Sequence, residues 1–221
     1  MKPLTIAIDG PSGAGKGTIA RALAKNLGYR HIDTGAMYRA VAWKAKRKGV
    51  PLDDDTRVAR LAVDSTIVVE GGVVSIDGHV ITQAIRTPEM DQAAAAVARL
   101  PRVREELVRK QRQEGESGGV VMEGRDIGTV VFPGADLKIY LDASAEERAR
   151  RRANDPAHTG GQAGEAAVAA SIAARDKSDT TRTASPLTVA DDAIYIDTTT
   201  LPVQQVVEKV LAMATQKLRA G

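Results

Sequence analysis

Short apolar segments alternate with helical patterns along most of the chain. Five of these segments are continuous runs that end near a small or acidic residue, as buried strands of a parallel sheet do. They cover residues 4–8, 31–32, 120–122, 137–141 and 193–196. Between them, apolar residues recur at helical spacing over residues 16–27, 37–48, 102–113, 145–153 and 202–218. The alternation predicts an α/β fold with a central five-stranded parallel sheet flanked by helices.

The residues that follow each predicted strand are the first candidates for a functional site. Ligands of open α/β sheets bind at the carboxyl ends of the strands. In this chain the acidic residues at those positions are Asp9, Asp33, Glu123, Asp142 and Asp197. We therefore expect any site to lie at this edge of the sheet.

One stretch interrupts the alternation with three shorter β-rich pieces. They lie at residues 66–70, 73–76 and 80–82, separated by Gly71-Gly72 and Asp77-Gly78. Both dipeptides suit two-residue hairpin turns, which need backbone conformations that glycine and aspartate tolerate. The pattern predicts a small three-stranded antiparallel insertion, a β meander over residues 66–82.

A second segment, residues 154–164, is rich in Gly, Ala and polar residues and lies between two helical patterns. This composition is typical of a mobile surface loop, so we expect a short lid there. The alanine run at residues 93–96 suits an ordinary helix. At 221 residues the chain has the size of one domain with modest insertions.

The most specific motif follows the first predicted strand directly. Residues 10–16 match the G-x-x-x-x-G-K frame of a phosphate-binding loop (P-loop), with a strand before it and a helix after it. Backbone N–H groups and the helix N-terminus can then surround a polyphosphate, while Lys16 reaches its β and γ oxygens. The predicted ATP-binding loop consists of Gly10, Pro11, Ser12, Gly13, Ala14, Gly15, Lys16, Gly17 and Thr18.

The rest of the sequence favours ATP over GTP. GTPases recognise guanine with an Asn-Lys-x-Asp element, and the nearest approach here, residues 176–179, lacks the Asn. No Asp is followed by Gly three positions later, as a GTPase switch requires. Gly17 also stands where most P-loops carry Ser or Thr, a form familiar from nucleoside monophosphate kinases.

Composition narrows the classes of partner. Lys plus Arg is 31 against 28 for Asp plus Glu, and only one Trp, four Tyr and one Phe are present, which argues against a nucleic-acid partner. Cys is absent, which excludes disulfides, thiolate metal sites and a cysteine nucleophile.

The N-terminal apolar stretch is too short for a signal peptide or a membrane span, so we expect a cytoplasmic protein without a membrane partner. The 20 Arg outnumber the 11 Lys, as suits bidentate phosphate recognition.

The sequence resembles the bacterial cytidylate kinases, a family of nucleoside monophosphate (NMP) kinases. The motifs that carry the resemblance lie at residues 10–18, 33–39, 85–87, 101–104, 123–133, 141–148 and 175–186, and the inserted meander fits the family too. The resemblance implies one P-loop NMP-kinase domain. Its core would comprise residues 1–33, 101–153 and 165–221, its NMP-binding insertion residues 34–100, and its lid residues 154–164.

The resemblance also implies an activity. A cytidylate kinase transfers the γ-phosphoryl group of ATP directly and in line to CMP or dCMP, which gives CDP or dCDP, with Mg²⁺ bridging the phosphates. Thr18 is the candidate among protein groups for that metal, acting through the phosphates and water, and Asp9 is an alternative that would also act through water. We expect a monomer whose partners are ATP and CMP or dCMP. Two alternatives stay open: a P-loop kinase of another nucleoside monophosphate, and a non-catalytic nucleotide-dependent binding module.

The family's acceptor-binding positions can be carried over residue by residue. Those for the acceptor phosphate are Arg39, Arg125 and Arg182; those for the ribose are Arg175 and Asp179; those for the base are Thr34, Arg104 and Asp126, and Tyr38 is a further substrate-binding position. The spacing of Arg175, Asp179 and Arg182 would place them on one helix face, which could also be a surface ion-pair ladder. Asp126 could instead support magnesium from the second shell. Ala95 stands where family members often carry a Ser that contacts the base.

Arginines before the predicted lid complete the expected site. Arg148, Arg151 and Arg152 share one helical face and would close over the triphosphate, unless they form only a solvated charge run. Together with the P-loop they make up the expected ATP site. The residues expected to act in catalysis are Lys16, Arg125, Arg148, Arg152 and Arg182. No strong general base is needed, because the acceptor oxygen is already anionic at neutral pH.

Overall fold

The fold was obtained as a computed structural model, and it describes residues 2–155 and 164–220. The strands are β1 (Thr5–Asp9), β2 (Arg30–Asp33), β3 (Ile67–Glu70), β4 (Val73–Ile76), β5 (His79–Val80), β6 (Val120–Gly124), β7 (Leu137–Asp142) and β8 (Ile194–Asp197). The helices are α1 (Lys16–Leu27), α2 (Thr34–Arg47), α3 (Asp55–Val63), α4 (Pro88–Val97), α5 (Pro101–Gly115), α6 (Ala145–Ala153), α7 (Glu165–Thr181) and α8 (Val203–Ala220). A single π-helical turn spans Ile127–Val131. Most of the predicted lid, residues 156–163, lies outside the described residues.

Five strands form the central sheet in the order β2-β6-β1-β7-β8, and every neighbouring pair is parallel. This confirms the predicted five-stranded parallel sheet. The register sets Asp33 beside Glu123 and Asp9 beside Gly124. The acidic ends of three adjacent strands therefore meet at one edge of the sheet.

The sheet is covered on both faces, which explains why its strands read as continuous apolar runs. Ile6 and Ile8 of β1 pack with α1 and α8, whereas Ala7 between them packs against α5 and the π-helical turn. The alternation follows from the period of two along a strand. Each helix layer thus anchors a loop at the carboxyl edge, where the predicted site lies.

The predicted insertion, which begins with α2 and ends before α5, contributes to two apolar clusters, one of which also includes Val103 and Leu107 of α5. The meander is the antiparallel sheet β3-β4-β5, as predicted. Asp77, Gly78, Gly71 and Gly72 all have positive φ, as two-residue hairpin turns require.

Two predictions about the insertion have different outcomes. The alanine run lies in α4, as expected for an ordinary helix. The third strand, however, covers His79–Val80 rather than residues 80–82. Ile81 turns its side chain into the core, and the Thr82 hydroxyl, not its backbone, bonds to Val74. Across the described ranges, no helix combines the length and apolar character needed to cross a membrane.

Candidate active site

A cavity of about 720 Å³ opens at the carboxyl edge of the parallel sheet. Most of the predicted site residues line it: Ser12, Gly13, Ala14, Gly15, Lys16, Gly17, Thr18, Thr34, Tyr38, Arg39, Arg104, Arg125, Asp126, Arg151, Arg152, Arg175, Asp179 and Arg182. Gly10, Pro11 and Arg148 are not part of the lining. The P-loop, the end of β6 and the insertion thus share a single cavity.

Backbone geometry dictates the shape of the P-loop. Gly10 has a φ of 148°, and a Cβ built on it would lie 1.9 Å from the carbonyl oxygen of Leu141 on the neighbouring strand. Gly15 has a φ of 87° and is the N-cap of α1, with no side chain capping the helix. The first N–H groups of α1 therefore point toward the cavity, where an anion can bind them.

Lys16 is buried at the start of α1 and donates through Nζ to the carbonyl of Pro11, at 2.7 Å. Pro11 does not line the cavity, but its backbone carbonyl holds the Lys16 ammonium group within the loop. Burial, together with the positive charge of Arg125, lowers the pKa of Lys16 to about 7. A bound polyphosphate would bring compensating negative charge to this ammonium group.

Glu123, at the end of β6, crowds the start of α1. A Cβ on Gly17 would lie 3.1 Å from Glu123 Oε1, which favours glycine where most P-loops carry Ser or Thr. The same oxygen lies 2.8 Å from Nε2 of His31. Sequence reasoning placed Glu123 at a strand end but gave it no role. In the structure it lines the cavity, and its negative charge opposes the lowering of the Lys16 pKa.

An array of charges forms the opposite part of the lining. Arg125 donates through Nε to Asp179 at 2.8 Å, and Arg182 Nη1 lies 3.7 Å from the same carboxylate. Burial raises the pKa of Asp179, but the charges of Arg125, Arg175 and Arg182 outweigh burial, so that pKa ends below its usual value. The carboxylate is therefore ionised at neutral pH and can only accept hydrogen bonds.

Arg182 reaches this array differently from the prediction. The helical spacing placed it on one face of a helix with Arg175 and Asp179, but α7 ends at Thr181 and Arg182 is its extended C-cap residue. Its Nε donates to the carbonyl of Ser185, whose own φ is positive. Its backbone N–H still bonds to the carbonyl of Ser178, so the last helical turn, together with the bend after it, places Arg182 in the cavity lining.

The predicted base-contacting residues form a buried group between α2, α5 and the π-helical turn. Arg104 is ion-paired with Asp126 and stacks over Tyr38, with its guanidinium carbon 5.5 Å from the ring centre. Burial raises the pKa of Tyr38 to about 12. Thr34 donates to the backbone carbonyl of Glu123 at 2.7 Å, which ties α2 to the strand end. Ala95 also lines this part of the cavity.

The three arginines of α6 have three different environments, although the prediction treated them as one face. Arg148 donates to the carbonyls of Ser12 and Ala143 and is ion-paired with Asp176, so it supports the P-loop from outside the cavity lining. Arg151 donates to the carbonyl and hydroxyl of Thr198. Arg152 is ion-paired with Asp91 of α4.

Asp91 and Asp176 were missed by sequence reasoning. Asp176 accepts from Arg148 and from the backbone N–H of Ser12, and so connects α7 to the P-loop. Asp91 is paired with arginines of three helices. Each lies inside a helix, away from any strand end. Asp176 falls within the motif at residues 175–186, but nothing in that motif indicates a contact with the P-loop.

A metal would have to be held mainly by a bound nucleotide. The described part of the chain contains no cluster of three or more His, Asp or Glu side chains arranged to bind a metal ion. Thr18 and Glu123 both line the cavity and carry side-chain oxygens, and the charge of Glu123 acts on Lys16. Both oxygens of Asp9 instead accept from the N–H groups of Ile127 and Gly128, at 2.8 and 2.7 Å.

Comparison with known proteins agrees with this geometry. A gluconokinase structure from Sinorhizobium meliloti shares the fold, with a TM-score of 0.52 and 15% identity over 97% of this chain and 93% of that one. A cytidylate kinase from Pelotomaculum thermopropionicum is 52% identical, with 94% of each chain covered. One from Desulfitobacterium hafniense is 48% identical over 100% of this chain and 96% of its own. The cytidylate kinase family profile matches residues 6–216. This chain therefore belongs to the cytidylate kinase family.

Proposed function

We propose that the protein transfers the γ-phosphoryl group of ATP to CMP and dCMP, which gives ADP and CDP or dCDP. The observation that carries this proposal is that one cavity is lined both by a P-loop and by a separate arginine cluster. A protein that only bound ATP would have no need of a second set of phosphate-binding cations. A kinase needs both, because it must hold two phosphate groups in line.

The donor nucleotide would lie on the P-loop. Backbone N–H groups of residues 12–18 and the Lys16 ammonium group would hold its β and γ phosphates. Arg152 would neutralise charge on the transferring group, and Arg151 would bind nearby while anchored to Thr198. Arg148 would act from behind the loop, because it donates to the Ser12 carbonyl.

The acceptor phosphate would bind to Arg39, Arg125 and Arg182, with Arg175 and Asp179 on the ribose. An ionised oxygen of the acceptor would then attack the γ phosphorus as the bond to the ADP oxygen breaks. Because that oxygen is already ionised, no protein group has to remove a proton. The protein contributes position, charge neutralisation and exclusion of water.

Base selection would depend on Asp126, Arg104 and Thr34. The carboxylate of Asp126 can accept from the exocyclic amine of cytosine, whereas uracil would oppose it with a carbonyl oxygen. An unpaired buried group of this kind costs about 1 to 3 kcal/mol. The buried position of Asp126 in the cavity lining supports this role over a purely metal-supporting one.

Mg²⁺ is the cofactor we propose, with Thr18 and Glu123 as the side chains placed to meet it directly or through water. When bound, Mg²⁺ neutralises charge on the β and γ phosphates and helps to align them. Lys16 would complete the charge balance on the protein side. We further propose that the protein acts in the cytoplasm as a monomer, which light scattering on the purified protein would test.

The test is an ADP-release assay with CMP, dCMP, UMP, AMP, GMP or no acceptor, each with Mg-ATP. We expect rapid turnover with CMP and dCMP, slower turnover with UMP and almost none without acceptor. Greatest activity with AMP or UMP would indicate a kinase of another monophosphate. Acceptor-independent hydrolysis alone, or binding of ATP without turnover, would contradict the kinase function.

A further inference from the structure

Three arginines from three separate helices meet at the carboxylate of Asp91. Its Oδ1 lies 3.1 Å from Arg175 Nη1 and 3.6 Å from Arg39 Nη1, and its Oδ2 accepts from Arg152. Asp91 lies in α4, whereas the arginines lie in α2, α6 and α7. The carboxylate itself is largely buried.

These arginines are the ones that the proposed function assigns to nucleotides. Arg39 would hold the acceptor phosphate, Arg175 the ribose and Arg152 the transferring group, and all three line the cavity. A carboxylate and a phosphate bind a guanidinium group through the same N–H donors. Asp91 is therefore placed to compete with nucleotide phosphates for these donors.

The arginines also retain capacity for a ligand. The Nε atoms of Arg39 and Arg175 are buried and have no hydrogen-bond partner among the described residues. Arg39 is also paired with Asp33, which accepts from its Nη2 at 2.8 Å, so Asp91 is a second and more distant carboxylate for Arg39. Asp91 thus helps to orient each guanidinium group without using all of its donors. Arginine orientation costs conformational entropy, and a fixed partner removes part of that cost before substrate binds.

We propose that Asp91 is a positioning residue with two opposed effects: its negative charge weakens nucleotide binding, and its grip on Arg39, Arg152 and Arg175 holds them in place for transfer. This inference rests on the proposed function. The first effect follows from repulsion between Asp91 and the phosphates, which is strong at short range in a partly buried site. The second follows from the sensitivity of phosphoryl transfer to the placement of charge.

A purely structural role would behave differently. If Asp91 only braced α4 against α6 and α7, its removal would loosen the cavity, so the dissociation constant for CMP would rise. Competition predicts the opposite sign for binding, together with a lower kcat. The directions of the two parameters therefore distinguish these roles.

The test compares Asp91→Asn with Glu89→Gln. Glu89 lies two residues away in the same helix, where its exposed side chain pairs with Lys46, so its variant has the same charge change away from the cavity. For Asp91→Asn we expect the dissociation constant for CMP in calorimetry to fall about tenfold and kcat to fall about tenfold. For Glu89→Gln we expect both to stay within about twofold.

Asp91→Ser removes the same charge with a smaller side chain and replaces the Asn variant if that one does not fold. Weaker or unchanged CMP binding in the folded variant would overturn the proposal, as would an unchanged kcat. Wild-type turnover with CMP is measured in parallel, because its absence would contradict the proposed function instead. In that case, calorimetry with inorganic pyrophosphate, which binds through charge alone, still tests the role of Asp91. Binding to the Asp91 variant about tenfold tighter than to the wild type would support competition, and equal or weaker binding would refute it.

Discussion

The two halves of the cavity are built in different ways. The P-loop half is formed mainly by seven consecutive residues, 12–18, and the backbone dihedral angles of the loop, above all at Gly10 and Gly15, determine its shape. The acceptor half brings side chains from α2, α5, β6 and α7 together, and buried ion pairs hold them. The first half depends on local backbone conformation, whereas the second depends on ion pairs between residues that are distant in the chain.

This difference predicts different responses to mutation. A backbone structure that touches a neighbouring strand cannot take an added atom without distortion, so its variants should lose stability. A network of Arg and Asp side chains can lose a member and still fold, with its remaining charges redistributed. Variants in this network should chiefly change the affinity for nucleotides and the selectivity between them. Selectivity is the difference between the binding free energies of two ligands.

The largest effect should come from Gly10→Ala. The new Cβ would meet the Leu141 carbonyl at 1.9 Å, at a φ that disfavours side chains, so β1 and β7 would have to separate. We expect a loss of about 4 kcal/mol in the free energy of unfolding, measured in urea, with weaker ATP binding.

Gly28→Ala is the matched control. Gly28 also has positive φ, 67°, but an added Cβ would meet nothing within 4 Å. Its loss should be limited to backbone strain, about 1 kcal/mol. Equal losses in the two variants would show that the contact with Leu141 does not constrain the P-loop.

A smaller effect should follow from changes in the acceptor half. In Asp126→Asn the amide can present either its oxygen or its NH₂ to the base, so the preference for CMP over UMP in kcat/KM should narrow about tenfold. Arg182→Ala should instead lower kcat/KM for both acceptors by similar factors, because a phosphate contact does not read the base. Unchanged selectivity in Asp126→Asn would refute the role of Asp126 in base recognition.

The smallest expected effect is a partial uptake of a proton by Lys16 when ATP binds. Its pKa of about 7 leaves roughly half of the molecules with a neutral Lys16 at pH 7. ATP would raise that pKa, so binding should take up about half a proton at pH 7, more at pH 8 and almost none at pH 5.5. Calorimetry in buffers of different ionisation enthalpy measures this uptake, and Lys16→Met provides the baseline. Equal uptake in both proteins would exclude Lys16 as its source.

The sequence was most informative where structure is local. Continuous apolar runs predicted the five parallel strands, because a strand buried on both faces cannot expose polar side chains. The turn dipeptides predicted the meander, since Gly71-Gly72 and Asp77-Gly78 tolerate positive φ. The P-loop could be identified from the sequence because its glycines, its lysine and its helix are contiguous in the chain.

The remaining features depend on contacts between distant residues. The third meander strand ends at Val80, where the Thr82 hydroxyl, rather than a backbone carbonyl, accepts from the N–H of Val74. Arg182 is held in the cavity lining by its bond to the Ser185 carbonyl, a contact that helical spacing could not show. Arg148 faces the back of the P-loop because Asp176, 28 positions along the chain, pairs with it there.

By itself, the sequence determined the fold class, the position of the P-loop and, through its motifs, the family, since each depends on residues adjacent in the chain. Only the tertiary structure decided how the arginines are divided: which of them face the cavity, which support the loop, and which share the carboxylate of Asp91. The physical reason is that a guanidinium group is directed by the carboxylates and carbonyls around it, and most of these come from elements that only folding brings near.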